Sequence, residues 1–210
     1  MTRSFRAIVL AAGGTGGHIF PAEALGEVLR KRGHSLVWIT DERGAAHSGT
    51  LSELETHTIS ARGISGFGAL GRLTSTISLG VGVFQARRIL RELNPAAVIG
   101  FGGYAAAPTM VAAMHLKFPT VIHEQNAVIG KANRIFAKRI DRVCTSFEHT
   151  RLIPDSVSPV LTGMPVRSAF GAARAKPYVA PTDGSPIKLV VLGGSQGAAA
   201  FSHLIPCAIK

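Results

Sequence analysis

Three times in this chain an apolar run leads directly into a pair of glycines: at residues 7–12 before Gly13 and Gly14, at 97–101 before Gly102 and Gly103, and at 187–192 before Gly193 and Gly194. An unbroken apolar run marks a strand covered on both faces, as strands of a parallel sheet are. Behind the first pair, Pro21 suits the first turn of a helix. Ala22, Leu25, Val28 and Leu29 follow at helical spacing, and Gly33 is placed to end it. Residues 36–40 (LVWIT) then read as a second strand. Strand, glycine turn, helix and strand make a βαβ unit whose crossover is right-handed and whose strands are parallel. The fold class is therefore α/β.

The same grammar continues downstream. It predicts a strand at 97–100, a helix from about Pro108 to Leu116, a strand at 120–123, a helix over 130–139 and a strand at 142–145. From about Pro154 to Pro186 the chain is rich in proline and small residues and loses its periodicity, as an interdomain connection does. A last strand at 187–192, the loop GGSQGA and a helical stretch containing Leu204 and Ile205 follow. The expected organisation is a first domain over 1–160, a linker over 161–186, and the opening βα unit of a second domain over 187–210. One βα unit cannot bury its own core, so this second domain is expected to be truncated.

Charge narrows the partner. Lys plus Arg outnumber Asp plus Glu by 23 to 12, for a net charge of +11, which favours an anionic partner: a nucleotide, a lipid surface or nucleic acid. The basic residues are scattered, with no zinc-finger spacing, RNP-like run or basic recognition helix, so nucleic acid is disfavoured. Cys144 and Cys207 are far apart, which argues against a disulfide framework and for a reducing compartment. Residues 7–12 are too short for a signal peptide's apolar region, so the chain reads as cytosolic. Residues 95–116 carry no formal charge, yet Gly100, Gly102, Gly103 and Pro108 interrupt them, which fits a buried strand and glycine loop better than a membrane span.

A glycine pair ahead of a helix lets a phosphate approach the backbone, where unpaired amides favour an anion. Tight turns within a Rossmann-like domain would use the same residues. Other phosphate motifs do not fit: Gly130 and Lys131 are followed by Ala132, so there is no Walker sequence, and GGTGGH is not GxGxxG. His123 and Glu124 begin like a zinc-protease helix, but Ala127 stands where its second histidine belongs.

GGTGGH at 13–18, FGGYAAAP at 101–108, HEQN at 123–126, GMPVR at 163–167 and GGSQGA at 193–198 occur in an order that resembles the MurG family of glycosyltransferases across almost the whole chain. The resemblance implies a GT-B fold, two Rossmann-like domains facing each other across a cleft. It implies inverting, metal-independent and cofactor-free transfer of GlcNAc from UDP-GlcNAc to undecaprenyl-diphospho-MurNAc-pentapeptide, lipid I, in peptidoglycan biosynthesis. The corresponding location is peripheral, on the cytoplasmic face of the plasma membrane. By the same resemblance Thr15, Gly16, Gly17, Asn126, Arg167 and Ser195 contact the sugar nucleotide. His18 corresponds to a residue assigned as the base, although a helix cap or an acceptor-binding histidine would also stand there. Glu124 is a second candidate for the base or an orienting carboxylate. Gly102, Gly103, Tyr104, His123 and Gln125 are candidates for the acceptor pocket, each also compatible with simple packing. Met164 departs from the family's usual GNPVR.

An enzyme acting on a polyprenyl-linked head group rests on the bilayer. Leu73, Ile77, Val81 and Phe84 approximate one helical face, with Arg72, Arg87 and Arg88 nearby to meet anionic lipid. Core helices show the same spacing, and Gly80 and Gly82 weaken the helix. Two rival functions remain open: a non-catalytic acceptor-binding, membrane-docking module working beside a separate donor-binding domain, and a nucleotide-sugar epimerase of the same architecture.

Overall fold

The computed structural model describes residues 6–61, 69–174, 177–182, 184–186, 188–193 and 199–209, without the side chains of 69–73 and 172–173. The chain divides into two compact units, Met1–Ser168 and Ala169–Lys210.

The first unit is built on one sheet of seven parallel strands: β1 (Ile8–Ala11), β2 (Leu36–Thr40), β3 (Glu55–Thr58), β4 (Ala97–Gly100), β5 (Thr120–Glu124), β6 (Arg142–Thr145) and β7 (Val160–Leu161). Their order is β3-β2-β1-β4-β5-β6-β7. The sequence direction of the sheet reverses between β1 and β4, both of which run parallel and in register, with Ile8 opposite Ala97 and Ala11 opposite Gly100. In such sheets ligands sit beyond the carboxyl ends of the strands at this switch point.

Alternation along β1 explains the two-sided core. Val9 faces a cluster with Val37, Ile39, Leu90, Val98, Met110 and Ile122, whereas Leu10 faces another with Ile19, Ala22, Leu36, Trp38, Leu51 and Phe101. Each fully buried aliphatic side chain contributes about 1.5–3 kcal/mol from removal of its surface from water. Helix α1 (Gly16–Lys31) covers the Leu10 side, and α3 (Ala69–Leu93) and α4 (Gly103–His115) cover the Val9 side. Between β2 and β3 lie α2 (Glu42–Ala45) and a 3-10 turn at Thr50–Glu53, and α5 (Lys131–Phe136) follows β5.

Several expectations change here. Helices α1 and α4 begin at the glycine loops themselves, so Pro21 and Pro108 are each the sixth residue of their helix. Neither proline sits in the first turn. Each removes one amide, opposite the carbonyls of Gly17 and Tyr104, close enough to the helix start to be tolerated. Helix α5 is shorter than residues 130–139. Strand β3, with the sequence ETHT, has no apolar signature and was not foreseen. Helix α3 forms despite its glycines, and Gly82 is required by its packing, because a Cβ there would collide with the Ser60 carbonyl.

The second unit holds most of α6 (Ser168–Arg174) and all of α7 (Ala199–Ala208). The strand expected at 187–192 is absent from the described residues 188–193, which are coil. Among the described residues no strand pairs with it, and an unpaired strand gains no ladder hydrogen bonds. Residues 95–116 resolve into β4, a glycine turn and α4. Among the described residues, no helix is long and apolar enough to cross a membrane.

Candidate active site

Two glycine loops converge at the switch point. The first leaves β1 under firm anchorage, with the buried Trp38 Nε1 donating to the Ala12 carbonyl at 3.0 Å and the Gly14 amide donating to Asp41 Oδ1 at 3.2 Å. Asp41 also accepts from the Gly44 amide at 3.0 Å, capping α2, and forms an ion pair with Arg43 at 3.3 Å. The amides of Gly16 and Gly17 open α1 and have no acceptor among the described residues. Unpaired amides at the positive end of a helix dipole form an anion-binding surface.

The second loop requires glycine twice. Gly102 has φ +87° and Gly103 φ +75°, both in the region that side chains avoid. A Cβ on Gly102 would lie 3.1 Å from Asn133 Nδ2, and one on Gly103 would lie 3.2 Å from the His18 ring. The second loop is therefore the seat on which the His18 imidazole rests. This close approach puts a side chain of the first loop over the backbone of the second.

His18 Nδ1 is 3.1 Å from Thr15 Oγ1. When Nδ1–H donates to Thr15, Nε2 carries the basic lone pair. Burial pushes the His18 pKa below its ordinary 6.5, and the Glu124 carboxylate offsets part of that effect. The ring is neutral at pH 7, as a proton acceptor must be.

Glu124, at the end of β5, is buried and saturated. Its Oε1 accepts from the Asn126 amide at 3.0 Å and Asn126 Nδ2 at 2.9 Å. Its Oε2 accepts from the Gly130 amide at 2.8 Å and Asn133 Nδ2 at 3.0 Å. Four bonds use the acceptor capacity of a carboxylate, and this geometry suits an orienting group better than a base. Asn126 Oδ1 has no donor among the described residues.

A cavity of about 960 Å³ opens beside these groups. His18, Gly102, Gly103, Tyr104, Glu124 and Asn126 line it, together with Lys131 and Asn133 from α5 and apolar residues of α3 and α4. His123 and Gln125 are not among its lining residues. They are buried behind it, where His123 Nε2–H donates to the Gly163 carbonyl at 3.0 Å and Gln125 Nε2 donates to His123 Nδ1 at 3.2 Å. Burial lowers the His123 pKa in the same way. The HEQN and GMPVR segments thus meet through one imidazole, and Met164 Sδ accepts a long contact from Ser146 Oγ at 3.7 Å. Arg167 stacks over the Phe20 ring at 4.2 Å, and that ring in turn lies against Gly16, so its cation belongs to the first loop. Ser195 lies outside the described residues.

On α3, Ile77 is 59% exposed, Val81 46% and Phe84 73%, while Ala86 and Leu90 supply the core face. The side chain of Leu73 is not described. Arg88 pairs with Glu92 at 3.0 Å, so part of its charge is already compensated. Sequence reading did not identify Asp41, Asn133 or Lys131. Asn133 carries the faintest signal, a polar residue on the inward face of a short helix.

Residues 8–145 match the glycosyltransferase family 28 N-terminal domain. Among curated proteins, the chain is 55% identical over 204 residues to the UDP-N-acetylglucosamine–N-acetylmuramyl-(pentapeptide) pyrophosphoryl-undecaprenol N-acetylglucosamine transferase of Paramagnetospirillum magneticum, covering 96% of this chain and 55% of the relative. It is 52% identical over 202 residues to the protein of the same name in Rhodospirillum rubrum, covering 96% and 52%. Among solved structures, Acinetobacter baumannii MurG matches with a TM-score of 0.70 and 31% identity, over 97% of this chain and 57% of that one. The chain spans about half the length of the curated relatives it matches.

Proposed function

This chain belongs to the glycosyltransferase family 28 N-terminal domain family, and on that premise we propose that its first unit is the acceptor half of an enzyme transferring GlcNAc from UDP-GlcNAc to a MurNAc-pentapeptide carried on undecaprenyl diphosphate. The observation that carries this reading is the His18 imidazole, held by Thr15 and seated on Gly102 and Gly103, lining a cavity together with Glu124 and Asn126.

In the proposed reaction, the acceptor hydroxyl attacks the anomeric carbon as UDP departs from the opposite face, so configuration inverts. His18 Nε2 takes the hydroxyl proton. The imidazolium formed is stabilised by the Glu124 carboxylate, which acts on it through space while orienting Asn126 and Asn133. Lys131, which lines the cavity with Gly102 and Gly103, is assigned to the acceptor diphosphate. The first-loop amides, with Arg167 beside them, and Asn126 belong to the sugar nucleotide, together with Ser195 by family resemblance. Arg and helix dipoles neutralise diphosphate without a metal.

The carrier lipid stays in the bilayer, so the enzyme docks on the cytoplasmic leaflet. The exposed Ile77, Val81 and Phe84 support α3 as the docking element, with Leu73 at its start, and the net positive charge suits anionic lipid.

The test is GlcNAc transfer to a soluble lipid I analogue by the purified chain, alone and with the C-terminal half of a relative added. Transfer in either arrangement, with kcat reduced about 10²–10⁴-fold by His18→Ala, is the expected result. Transfer only on complementation assigns this chain the role of an acceptor-binding module, which the coil at 188–193 favours. Loss of both activities, or full activity in His18→Ala, would refute the assignment of the base.

A further inference from the structure

Resting on that acceptor-side reading, we propose that the cavity between α3, α4 and α5 holds the first isoprene units of the prenyl carrier, so that protein instead of lipid solvates the segment next to the diphosphate. The lining divides by chemistry. Near the second glycine loop it is polar, with His18, Asn133 and Lys131, whereas deeper along α3 and α4 it offers Leu79, Val83 and Val111. A sugar or peptide would find few hydrogen-bond partners against that apolar wall. An anionic head continuing into a hydrocarbon chain satisfies both ends.

Size and shape agree. At about 960 Å³ the cavity far exceeds what a diphosphate fills. Gly80 is the most informative residue in its wall. It lies inside α3, where glycine weakens a helix, and no packing neighbour demands it, since a Cβ there meets no atom within 4 Å. What its missing side chain preserves is the cavity itself. Ile135 on α5 lines the cavity and is 72% exposed, and Ile77, Val81 and Phe84 are exposed on α3, the same helix whose Leu79, Gly80 and Val83 line it. The helix that walls the cavity is thus also the helix proposed to meet the bilayer.

The experiment is calorimetric titration of the purified chain, without vesicles or detergent, against pyrophosphate and dimethylallyl, geranyl and farnesyl diphosphates. Affinity is expected to rise by about tenfold or more from pyrophosphate to geranyl diphosphate and then to level off as the cavity fills. Gly80→Leu, which restores helix propensity, is expected to keep or raise the melting temperature and the affinity for pyrophosphate while abolishing the gain from the prenyl chain. Equal affinity for pyrophosphate and the prenyl diphosphates would overturn the proposal and leave the acceptor reading intact. So would a Gly80→Leu chain that retains the full prenyl gain. Failure to bind any diphosphate would remove the acceptor reading and this inference with it.

Discussion

The two glycine loops at the switch point start alike and are supported differently. Each follows a buried strand, opens a helix and has a proline at the sixth helical position. The first is held by the buried Asp41, which caps α2 and pairs with the exposed Arg43; its Gly14 is left-handed, and its glycines at 16 and 17 are helical. The second contains two left-handed glycines pressed against His18 and Asn133, with the buried Glu124 behind them. The difference teaches that the first loop is tight at Gly13, Gly14 and Gly16 but has one open position at Gly17, whereas both glycines of the second are pressed against the side chains they seat.

The sharpest way to break this comparison is to remove each loop's carboxylate. Glu124→Ala strands the donors of Gly130, Asn126 and Asn133 and is expected to cost about 3–5 kcal/mol, whereas Asp41→Ala, which loses a helix cap, the Gly14 bond and a long ion pair with the solvent-exposed Arg43, should cost about 1–2 kcal/mol. Urea denaturation measures both, and equal losses would contradict the contrast. Next in size is adding a methyl group to each loop. Gly103→Ala should cost about 1–3 kcal/mol through its positive φ and its contact with His18. Gly17→Ala, whose Cβ would meet only Thr15 Oγ1 at 3.7 Å, should change stability by less than about 0.5 kcal/mol.

A smaller effect is set by pH. His18 and His123 are both shifted below 6.5 by burial, so around and below that pH the unfolded chain binds more protons than the folded one. The stability these groups contribute is therefore present above pH 6.5 and is lost as pH falls below it toward their lowered folded-state values. A melting series in His18→Gln/His123→Gln should be flatter over that window than the unchanged chain. An equal slope would mean that neither imidazole is buried neutral. The smallest stability change is expected on α3, where Phe84→Ser with Ile77→Ser should alter the melting free energy by less than about 0.5 kcal/mol yet abolish binding to anionic vesicles. A large fall in stability would instead make these residues core.

Legibility followed the same division. The apolar runs of β1, β2 and β4 were readable because strands covered on both faces cannot hide their composition, and β5 and β6 followed from the recurring order of strand and helix. Strand β3 was not, since at the sheet edge Glu55, Thr56, His57 and Thr58 need no apolar face. Pro21 and Pro108 misplaced two helix starts because proline's preference for a first turn outweighed what glycine amides supply one turn earlier. His18 and Glu124 stood out through their motifs, but the saturation of Glu124 by four donors is a tertiary fact. Asn133 and Asp41 became visible only when distant loops were brought together. The expected strand at 187–192 failed for the complementary reason: its composition is right and its partner strand is missing from the described residues.

The pairing of β1 with β4 has a further consequence during synthesis. β1 and β2 leave the ribosome close together and can pair early, but the other edge of β1 waits for a strand about ninety residues later. Closing so long a loop is entropically the slowest step available to the sheet. The seam that joins the two loops is thus among the last to be zipped, and a nascent chain carries an unpaired, wholly apolar strand edge until Ala97 emerges. Whatever shields that edge in the meantime shields the meeting point of the two loops as well.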